Sequence, residues 1–261
     1  MTTDPDYIAH RLLPEYVRLA AKKLGITAAS YSDDWVLSLT RDGVTRFVHG
    51  YRFDINSSAT GYNANDKVAA SDILARAEVP VVHHELHQSV PDMFPVVIKP
   101  LHGTGGRGIS KIVSVDEYNN WLAQYGAVGR WAVAPFEIIE HEYRVIMLDG
   151  EALVTYEKTA PQPGADKLTV HNLGQGATPC LIDDDRIVKI AQLAMVNLGL
   201  RAAAVDIVHT PDGLKVLEVN DGIMMEYFAR HSDAYATIAQ DVYLRIVQTM
   251  FPSSDTTHAI L

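Results

Sequence analysis

The segment 204–220 constrains the fold of this chain more tightly than any other part of the sequence. It reads AVDIVHTPDGLKVLEVN, in which two apolar runs flank Thr210-Pro-Asp-Gly213. Proline presets the first corner of a turn and glycine accepts the left-handed conformation that closes a short loop, so the segment predicts a β-hairpin. If Thr210 faces Leu214 across a three-residue loop, Asp206 lies directly opposite Glu218.

This register places two carboxylates side by side. Directly opposed side chains have Cβ atoms about 5 Å apart, and like charges at that distance are destabilising unless a cation lies between them. Asn220 follows two residues after Glu218 on the same face. Two carboxylates and an amide are hard oxygen ligands that suit Mg²⁺ shared with the phosphates of a substrate. The alternative is a solvated hairpin face that tolerates a carboxylate pair.

Composition places the chain among ordinary globular proteins. With 261 residues and 48% hydrophobic content, it can bury a large core in one large domain or in two or three smaller units. Its net charge of −10 argues against broad binding to nucleic acid or anionic membranes, so an anionic ligand has to be held by local positive charge. The single cysteine excludes an internal disulfide and fits a reducing compartment. With no signal-like N-terminus and no long apolar run, we expect a cytoplasmic protein.

Hydrophobic periodicity and turn signals predict a mixture of helices and strands. Helices are expected over residues 7–24, 67–77, 115–125, 183–198 and 234–250. Besides the hairpin, strands are expected over residues 35–40, 44–49, 94–99, 109–113, 130–134, 143–148 and 152–158. Residues 159–179 are rich in proline and glycine and are expected to form an irregular surface loop.

A glycine-rich segment, Lys99-Pro-Leu-His-Gly-Thr-Gly-Gly-Arg-Gly108, joins two of the predicted strands. The Walker loop and the dinucleotide-binding fingerprint both need a helix behind their glycines, so neither applies here. A glycine-rich hairpin can still fold its backbone N–H groups over phosphates. Lys99 ends an apolar strand, where burying a cation is costly without an anionic partner such as a phosphate. Without Lys99, an ordinary glycine-rich turn would be the simpler interpretation.

Other charged positions lack an obvious structural purpose. Lys67 opens a predicted helix, where the helix dipole slightly disfavours a cation and Asp66 already provides the cap. Glu142 and Arg144 share one face of a strand and suit a ribose diol and a phosphate. The irregular link 136–138 before that strand offers free backbone donors and acceptors of the kind an adenine edge needs. The plainer interpretations are a solvated lysine and a surface Glu–Arg pair.

In their order along the chain these pieces resemble the ATP-grasp superfamily, most closely the RimK-type, glutathione-synthetase-like and cyanophycin-synthetase-like ligases. The likeness covers about residues 63–250. It rests on Asn-Asp-Lys67, Val-Val-Ile-Lys99-Pro with its glycine loop, Glu142-Tyr-Arg144, Asp206 and Glu218-Val-Asn220. The ordered set is far more specific than any one of its members.

The resemblance implies a role for each matching position. The nucleotide would be held by two lysines, the glycine-rich hairpin, the link and the glutamate after it: Lys67, Lys99, Gly103, Thr104, Gly105, Gly106, Gly108, Phe136, Glu137, Ile138 and Glu142. The metal trio would be Asp206, Glu218 and Asn220, the same three residues that the hairpin geometry selects. Arg144, and after it Lys158, would stabilise the transferred phosphoryl group or the tetrahedral intermediate.

The fold that the resemblance implies is α+β, an ATP-grasp fold of two α+β lobes with a small, reduced N-terminal lobe. Its parts would be the N-terminal lobe 1–62, the glycine-hairpin lobe 63–136, the metal-site lobe 137–252 and a tail 253–261. Its reaction would be ATP-dependent ligation of a carboxylate to an amine through an acyl phosphate, with Mg²⁺ or Mn²⁺ as cofactor. The alternative is a small-molecule kinase that uses the same nucleotide site.

The expected partners are a small acid and an amine, such as an amino acid or a short peptide, and neither nucleic acid nor a membrane. The segment before Lys67 is shorter than the α/β domain that usually precedes the ATP-grasp unit. Part of the substrate pocket would therefore be reduced, or supplied by another subunit of a homo-oligomer. The loops 103–108 and 159–179 are expected to close over bound nucleotide.

Overall fold

The structure is a computed structural model that describes residues 10–103, 106–126, 130–160 and 172–252. Its contacts divide the chain into two units, one made of Met1–Ser57 with Gly222–Leu261 and the other of Ser58–Asp221. The first unit therefore combines segments from both ends of the chain, whereas the second is one continuous segment.

Helices and strands alternate along most of the chain. The helices are α1 (Leu13–Lys23), α2 (Ser58–Asn65), α3 (Lys67–Arg76), α4 (Val115–Tyr125), α5 (Asp185–Leu198), α6 (Glu226–Ala229) and α7 (Asp233–Met250). The strands are β1 (Thr27–Tyr31), β2 (Val36–Arg41), β3 (Val44–His49), β4 (Arg52–Phe53), β5 (Glu85–Leu86), β6 (Val96–Pro100), β7 (Ser110–Ile112), β8 (Trp131–Pro135), β9 (His141–Leu148), β10 (Glu151–Thr159), β11 (Thr178–Leu181), β12 (Ala202–Thr210) and β13 (Gly213–Asn220). A 3₁₀ turn spans Leu173–Gln175.

In the first unit, β1 to β4 form an antiparallel meander and α1 packs against α7. The turn between β2 and β3 is Asp42-Gly43, and both residues have the positive φ that a two-residue type I′ turn requires. The N-terminus of α1 is bonded to the buried carboxylate of Glu226, which accepts from the N–H groups of Leu12 and Leu13 at 2.8 and 3.0 Å. Negative charge at a helix N-terminus is stabilised by the helix dipole, so this bond fixes α1 to the segment before α7.

The second unit contains a four-stranded antiparallel sheet in the order β5-β8-β6-β7. Helix α4 packs on it through apolar side chains from β6, β7 and the helix: Val96, Ile98, Ile112, Tyr118 and Trp121. Strand β6 carries Lys99 near its end, and β7 begins after the glycine-rich segment. The sheet therefore holds that segment by both of its ends.

The same unit contains a five-stranded antiparallel sheet in the order β11-β10-β9-β12-β13. One face packs against α3 and α5 through buried side chains that include Leu74, Val145, Ala191, Met195, Val205, Ile207 and Val219. Because side chains alternate along a strand, the residues between these apolar positions face the other side of the sheet. That second face carries the charged residues that the sequence singles out.

The turn between β12 and β13 differs from its prediction. Thr210 pairs with Gly213 rather than with Leu214, so the predicted three-residue loop is wrong. Gly213 has a φ of 112°, a conformation that residues with a Cβ rarely adopt. The tight turn of Pro211 and Asp212 therefore depends on glycine, but it closes one residue earlier than predicted.

A β-bulge cancels this error before the charged pair is reached. Ile207 pairs with Val216, whereas Asp206 pairs with Glu218, so Leu217 is an extra residue on β13. The bulge shifts the register by one residue and places Asp206 opposite Glu218. The predicted pairing of the two carboxylates is thus confirmed, although it depends on a β-bulge that the sequence does not indicate.

Most predicted elements are present, and the differences are local. The first helix starts at Leu13 rather than near residue 7, since residues 10–12 are not helical. The short elements β1, β4, β5, β11, α2 and α6 were not predicted. The contacts also group 222–252 with the N-terminal segment and pack α3 against α5, so the lobe boundaries expected from the sequence remain a prediction. Among the described residues, no helix has the length and apolar character needed to cross a bilayer.

The predicted irregular loop 159–179 is wrong at both ends. Strand β10 continues to Thr159, and β11 begins at Thr178, so Pro179 lies within a strand. Strand β11 is at the edge of its sheet, where proline is tolerated because no neighbour needs its missing N–H group. Residues 161–171 lie outside the described part of the chain, as do Thr104 and Gly105 in the glycine loop. The expected closure of both loops therefore stays a prediction.

Candidate active site

The charged face of the five-stranded sheet collects side chains from four strands. Arg144 on β9 pairs directly with Asp206 on β12, and Asp206 pairs with Glu218 on β13. Glu142 lies two residues before Arg144 and therefore points to the same face. Lys158 reaches this face from β10. Residues up to 76 positions apart in sequence are thus brought together by the order of the strands.

A buried ion network occupies the centre of this face. Arg144 makes two parallel hydrogen bonds to the Asp206 carboxylate, from Nε to Oδ1 at 2.7 Å and from Nη2 to Oδ2 at 2.6 Å. The Lys158 ammonium lies 3.0 Å from Oδ1 of Asp206 and also donates to the carboxylate of Glu142. Two cations and two carboxylates therefore compensate each other away from water.

The network keeps Asp206 and Lys158 ionised. Burial would raise the pKa of Asp206, but the charges of Arg144 and Lys158 outweigh it and hold that pKa well below the usual range. Burial would lower the pKa of Lys158, yet Asp206 and Glu142 raise it above its ordinary value. At neutral pH Asp206 is therefore negative and Lys158 is positive.

The predicted metal trio is assembled next to this network. Asp206 is only 2% exposed, whereas Glu218 and Asn220 are half-buried. The side-chain amide of Asn220 donates to Oε1 of Glu218 at 3.2 Å. A carboxylate offers more lone-pair positions than Arg144 and Lys158 use, so Asp206 can still be a ligand. Two carboxylates and an amide fit Mg²⁺, and the role of the trio as its ligands remains a prediction.

Histidine- or cysteine-rich metal centres have no counterpart here. Within the described ranges there is no group of three or more His, Cys, Asp or Glu side chains that could hold a metal ion. A site made of two carboxylates and one amide contains fewer such residues than that. The trio would therefore suit a metal that is shared with a ligand better than a permanently bound structural ion.

Lys99 is a buried cation near the end of β6. The residue is 7% exposed, and its ammonium forms no hydrogen bond or ion pair with another described residue. Burial is the main reason why its pKa is lowered to about 8; Glu218 opposes the shift and Lys67 adds to it. A buried ammonium without a close partner is costly. Its position therefore fits a site that receives an anionic ligand.

Lys67 contacts the start of the glycine-rich segment, and its predicted role in phosphate binding stays a prediction. Asp66 caps α3 by accepting from the N–H groups of its first turn, which leaves the Lys67 side chain for another purpose. The Lys67 ammonium donates to the carbonyl of Gly103 at 2.9 Å, and its charge lowers the pKa of Lys99. Both lysines and the start of the glycine segment therefore converge within one unit.

The end of the glycine segment needs glycine for two reasons. Gly108 has a φ of 70°, which disfavours other residues, and a Cβ at this position would lie 3.0 Å from Cγ of Pro100. Gly106 also has a positive φ, of 71°. Pro100 therefore packs closely under the segment and holds it near Lys99.

The link between the two sheets is only partly available to an adenine edge. The N–H of Phe136 donates to the carbonyl of Pro95 at 3.1 Å, so this donor is already used. Glu137 pairs with Lys215 at 2.8 Å, and Ile138 is exposed. The Phe136 ring is covered by the ammonium of Lys111, 3.9 Å from its centroid. Adenine binding by this link stays a prediction.

Two cations at the link, Lys111 and Lys215, are not indicated by the sequence. Lys111 comes from β7 and Lys215 from β13, which belong to different sheets. Neither lies beside Phe136 or Glu137 in sequence, and each is an ordinary lysine in its own segment. Their positions could be found only from the topology that brings both sheets to the link.

Comparison with known proteins supports the assignment of the fold. No protein-family model matches the sequence. Over 189 residues the chain is 26% identical to a probable α-L-glutamate ligase of Legionella pneumophila (strain Corby), a match that covers 67% of this chain and 61% of the relative. The chain thus spans about three fifths of the length of this relative.

Solved structures give the same fold. D-alanine–D-alanine ligase from Bacillus anthracis superimposes with a TM-score of 0.56 at 18% identity, over 73% of this chain and 68% of that protein. The ATP-grasp ligase PsnB, in complex with a minimal precursor, Mg and ADP, superimposes with a TM-score of 0.55 at 18% identity, over 74% of this chain and 62% of PsnB. This chain has the same arrangement of helices and sheets, which is the ATP-grasp fold. The fold that the sequence resemblance implies is thus confirmed.

We predict that Lys99→Met weakens binding of a non-hydrolysable ATP analogue roughly ten- to a hundredfold, because charge-assisted hydrogen bonds to the ligand are lost. The variant should unfold at the same or a higher urea concentration than the wild type, since an uncompensated buried charge is removed. Isothermal calorimetry measures the affinity, and Lys23→Met, an exposed lysine in the other unit, is the matched control. Undiminished affinity in Lys99→Met would contradict the phosphate site.

The lowered pKa of Lys99 predicts a pH dependence. Without ligand the group loses its proton near pH 8, whereas a bound polyphosphate favours the charged form and raises the pKa. Binding above pH 8 then takes up a proton, so the affinity should be constant well below pH 8 and fall as the pH rises above it. Calorimetry in buffers of different ionisation enthalpy measures this uptake, which Lys99→Met should abolish.

A third prediction concerns the ion network. Lys158→Met removes the cation that contacts both Asp206 and Glu142, and should lower the free energy of unfolding by about 3–5 kcal/mol. Adding Glu142→Gln should restore part of that loss, because it removes the charge of one of the two carboxylates that Lys158 contacts. Urea unfolding measures both variants. Equal stability of wild type and Lys158→Met would show that the network is not coupled as the structure indicates.

Proposed function

We propose that the protein is an ATP-dependent ligase that joins a carboxylate to an amine. The observation that carries the proposal is the buried Lys99 ammonium, which lacks a close anionic partner among the described residues and lies near Lys67 and the glycine segment. Such a site suits the phosphates of a nucleotide. The carboxylate pair Asp206 and Glu218, whose charges reach Lys99, suits the metal ion that accompanies them.

The reaction proposed has two chemical steps. Transfer of the γ-phosphoryl group from ATP to the substrate carboxylate forms an acyl phosphate and ADP. The amine then attacks the acyl carbon, the C–O bond to phosphate breaks, and the amine proton passes to solvent or to a basic group. Mg²⁺ held by Asp206, Glu218 and Asn220 would neutralise charge on the phosphates during the first step.

The protein side chains mainly position reactants and compensate charge. Lys67 and Lys99 would bind phosphate oxygens, as the glycine N–H groups would. Arg144 is the first candidate for stabilising the transferred phosphoryl group, because its guanidinium has five N–H groups and Asp206 uses two of its three nitrogens. Lys158 is buried and contacts both Glu142 and Asp206, so we assign it the role of positioning those two carboxylates.

The substrate class follows from the sequence relatives. Because the Legionella pneumophila relative is named a probable α-L-glutamate ligase, L-glutamate is the first candidate for the amine or for the acid. The net charge of −10 makes the surface as a whole repel an acidic substrate, so recognition would depend on cations near the site. Cytoplasmic location and assembly into a homo-oligomer are part of the proposal.

The proposed function predicts that phosphate is released from ATP when both the acid and the amine are present. A screen of amino acids and short peptides with ATP and Mg²⁺ measures phosphate release, and mass spectrometry identifies the amide product. If the acid carries ¹⁸O in its carboxylate, the phosphate released should contain ¹⁸O, because the acyl phosphate keeps the carboxylate oxygen that it later loses.

The kinase alternative has a different outcome. A small-molecule kinase would leave the phosphoryl group on the acceptor, would need no amine, and would transfer no ¹⁸O to free phosphate. A phosphorylated acid that accumulates in the presence of every amine tested would contradict ligation and support the kinase.

Glu218→Gln is predicted to lower turnover by at least about a hundredfold, because it removes one charge from the metal site. The variant keeps the shape of the side chain, so urea unfolding should match the wild type. Glu140→Gln, at an exposed glutamate that pairs with His209, is the matched control and should retain activity. Wild-type turnover in Glu218→Gln would show that this carboxylate does not hold the metal.

A further inference from the structure

His84 is a buried histidine next to the two site lysines, and none of the roles assigned above uses it. It is 1% exposed and follows the segment in which the N–H of Val82 donates to the carbonyl of Val216. The backbone of His84 is fixed from both sides by Ser71 of α3, whose hydroxyl accepts from the His84 N–H at 3.0 Å and lies 3.4 Å from its carbonyl. The ring therefore has a defined position relative to α3, the helix that Lys67 begins.

The ring itself lacks the partners that a buried imidazole usually has. Neither Nδ1 nor Nε2 makes a hydrogen bond with any residue in the described ranges. The carbonyl of Val82 lies close enough to favour a proton on the ring, but not in hydrogen-bonding geometry. Leaving buried polar atoms unsatisfied costs free energy, so a side chain that merely filled this space would be better replaced by an apolar one.

The charges around the ring keep it neutral. Burial is the main cause that lowers the pKa of His84 to about 2, and the positive charges of Lys99 and Lys67 lower it further. His83 contributes in the same direction. A neutral imidazole has one N–H donor and one acceptor nitrogen, so near neutral pH His84 can donate a hydrogen bond without adding a third positive charge to the site.

We propose that His84 is a third phosphate-binding residue, which donates a hydrogen bond from its neutral ring to a phosphate oxygen of the bound nucleotide. This inference rests on the proposed nucleotide site of Lys67 and Lys99. It accounts for the polar side chain, for two ring nitrogens that form no hydrogen bond with any described residue, and for the contacts with Ser71 that fix the backbone. Two lysines supply the charge, and the histidine supplies a directional donor.

The decisive test compares His84→Leu with His83→Leu. His83 is the adjacent residue, but its side chain is 47% exposed. His84→Leu should leave the thermal midpoint of the free protein unchanged or higher, since two unsatisfied buried nitrogens are removed. It should weaken binding of a non-hydrolysable ATP analogue with Mg²⁺ at least about tenfold. His83→Leu should bind the analogue as the wild type does.

Conservative variants identify the donor atom. The side-chain amide of asparagine resembles Nδ1 of histidine in position and that of glutamine resembles Nε2, so either His84→Asn or His84→Gln should recover most of the lost affinity. Tripolyphosphate with Mg²⁺ should show the same ranking of variants as the nucleotide analogue, whereas adenosine should bind all of them equally. A role in packing alone would make the leucine variant the best binder and the amides the worst.

A second measurement covers the case in which the variants fold poorly. In wild-type protein with ¹⁵N-labelled histidine rings, the His84 resonances should shift when the nucleotide analogue saturates the site. Unchanged His84 ring resonances at saturation, or wild-type affinity in His84→Leu, would overturn the proposal. Failure of the proposed nucleotide site gives a different result. In that case the wild-type protein would not bind the analogue, or Lys99→Met would bind it as well as the wild type does.

Discussion

The compensation of buried charge on one sheet face is the interaction on which the rest of the site depends. Asp206 is held by two cations, and the network keeps the carboxylate negative in a place where burial alone would favour its neutral form. Lys99 lies on a different sheet yet experiences the same carboxylates, and its own burial outweighs their help. Two cations, Arg144 and Lys158, face three carboxylates on this sheet, and Lys99 and Lys67 add two further positive charges next to it. These two lysines are the charges that would hold an anion.

The position of the carboxylate pair shows how far sequence reasoning reaches. A period of two along a strand is fixed by the backbone, so the alternation of faces and the approximate register of a short hairpin follow from the turn residues. The predicted turn between β12 and β13 closes one residue too late, and the bulge at Leu217 compensates for this error. A bulge depends on the packing of neighbouring strands rather than on a local signal, so the sequence could not announce it. The prediction therefore identifies the correct pair because two errors cancel. The turn is one residue shorter than predicted, and the bulge adds one residue to β13.

Other parts of the site could not be found from sequence because they depend on burial and topology. The resemblance implies that Lys67 and Lys99 hold one ligand, and the charge of Lys67 does lower the pKa of Lys99, although their binding role stays a prediction. By contrast, no pattern distinguishes His84 from the exposed His83 beside it. Helix α3 was predicted correctly as a helix, but its packing against α5 follows from long-range contacts that periodicity does not encode. The positions of Lys111 and Lys215 cannot be found from sequence either, since these lysines reach the link from different sheets.

The unsatisfied groups at this site give a physical reason for keeping residues that weaken the fold. An ammonium and a histidine ring that form no hydrogen bond with any described residue would both lower the stability of the fold, and an apolar residue at either position would raise it. A polyphosphate would accept hydrogen bonds from both groups at once. Binding would therefore recover the stability that these two buried polar groups cost the folded protein. The desolvated site also strengthens each interaction with the ligand, because no water competes for the donors. Under the proposed function, these polar atoms without partners in the described ranges mark where the phosphates of a nucleotide would bind.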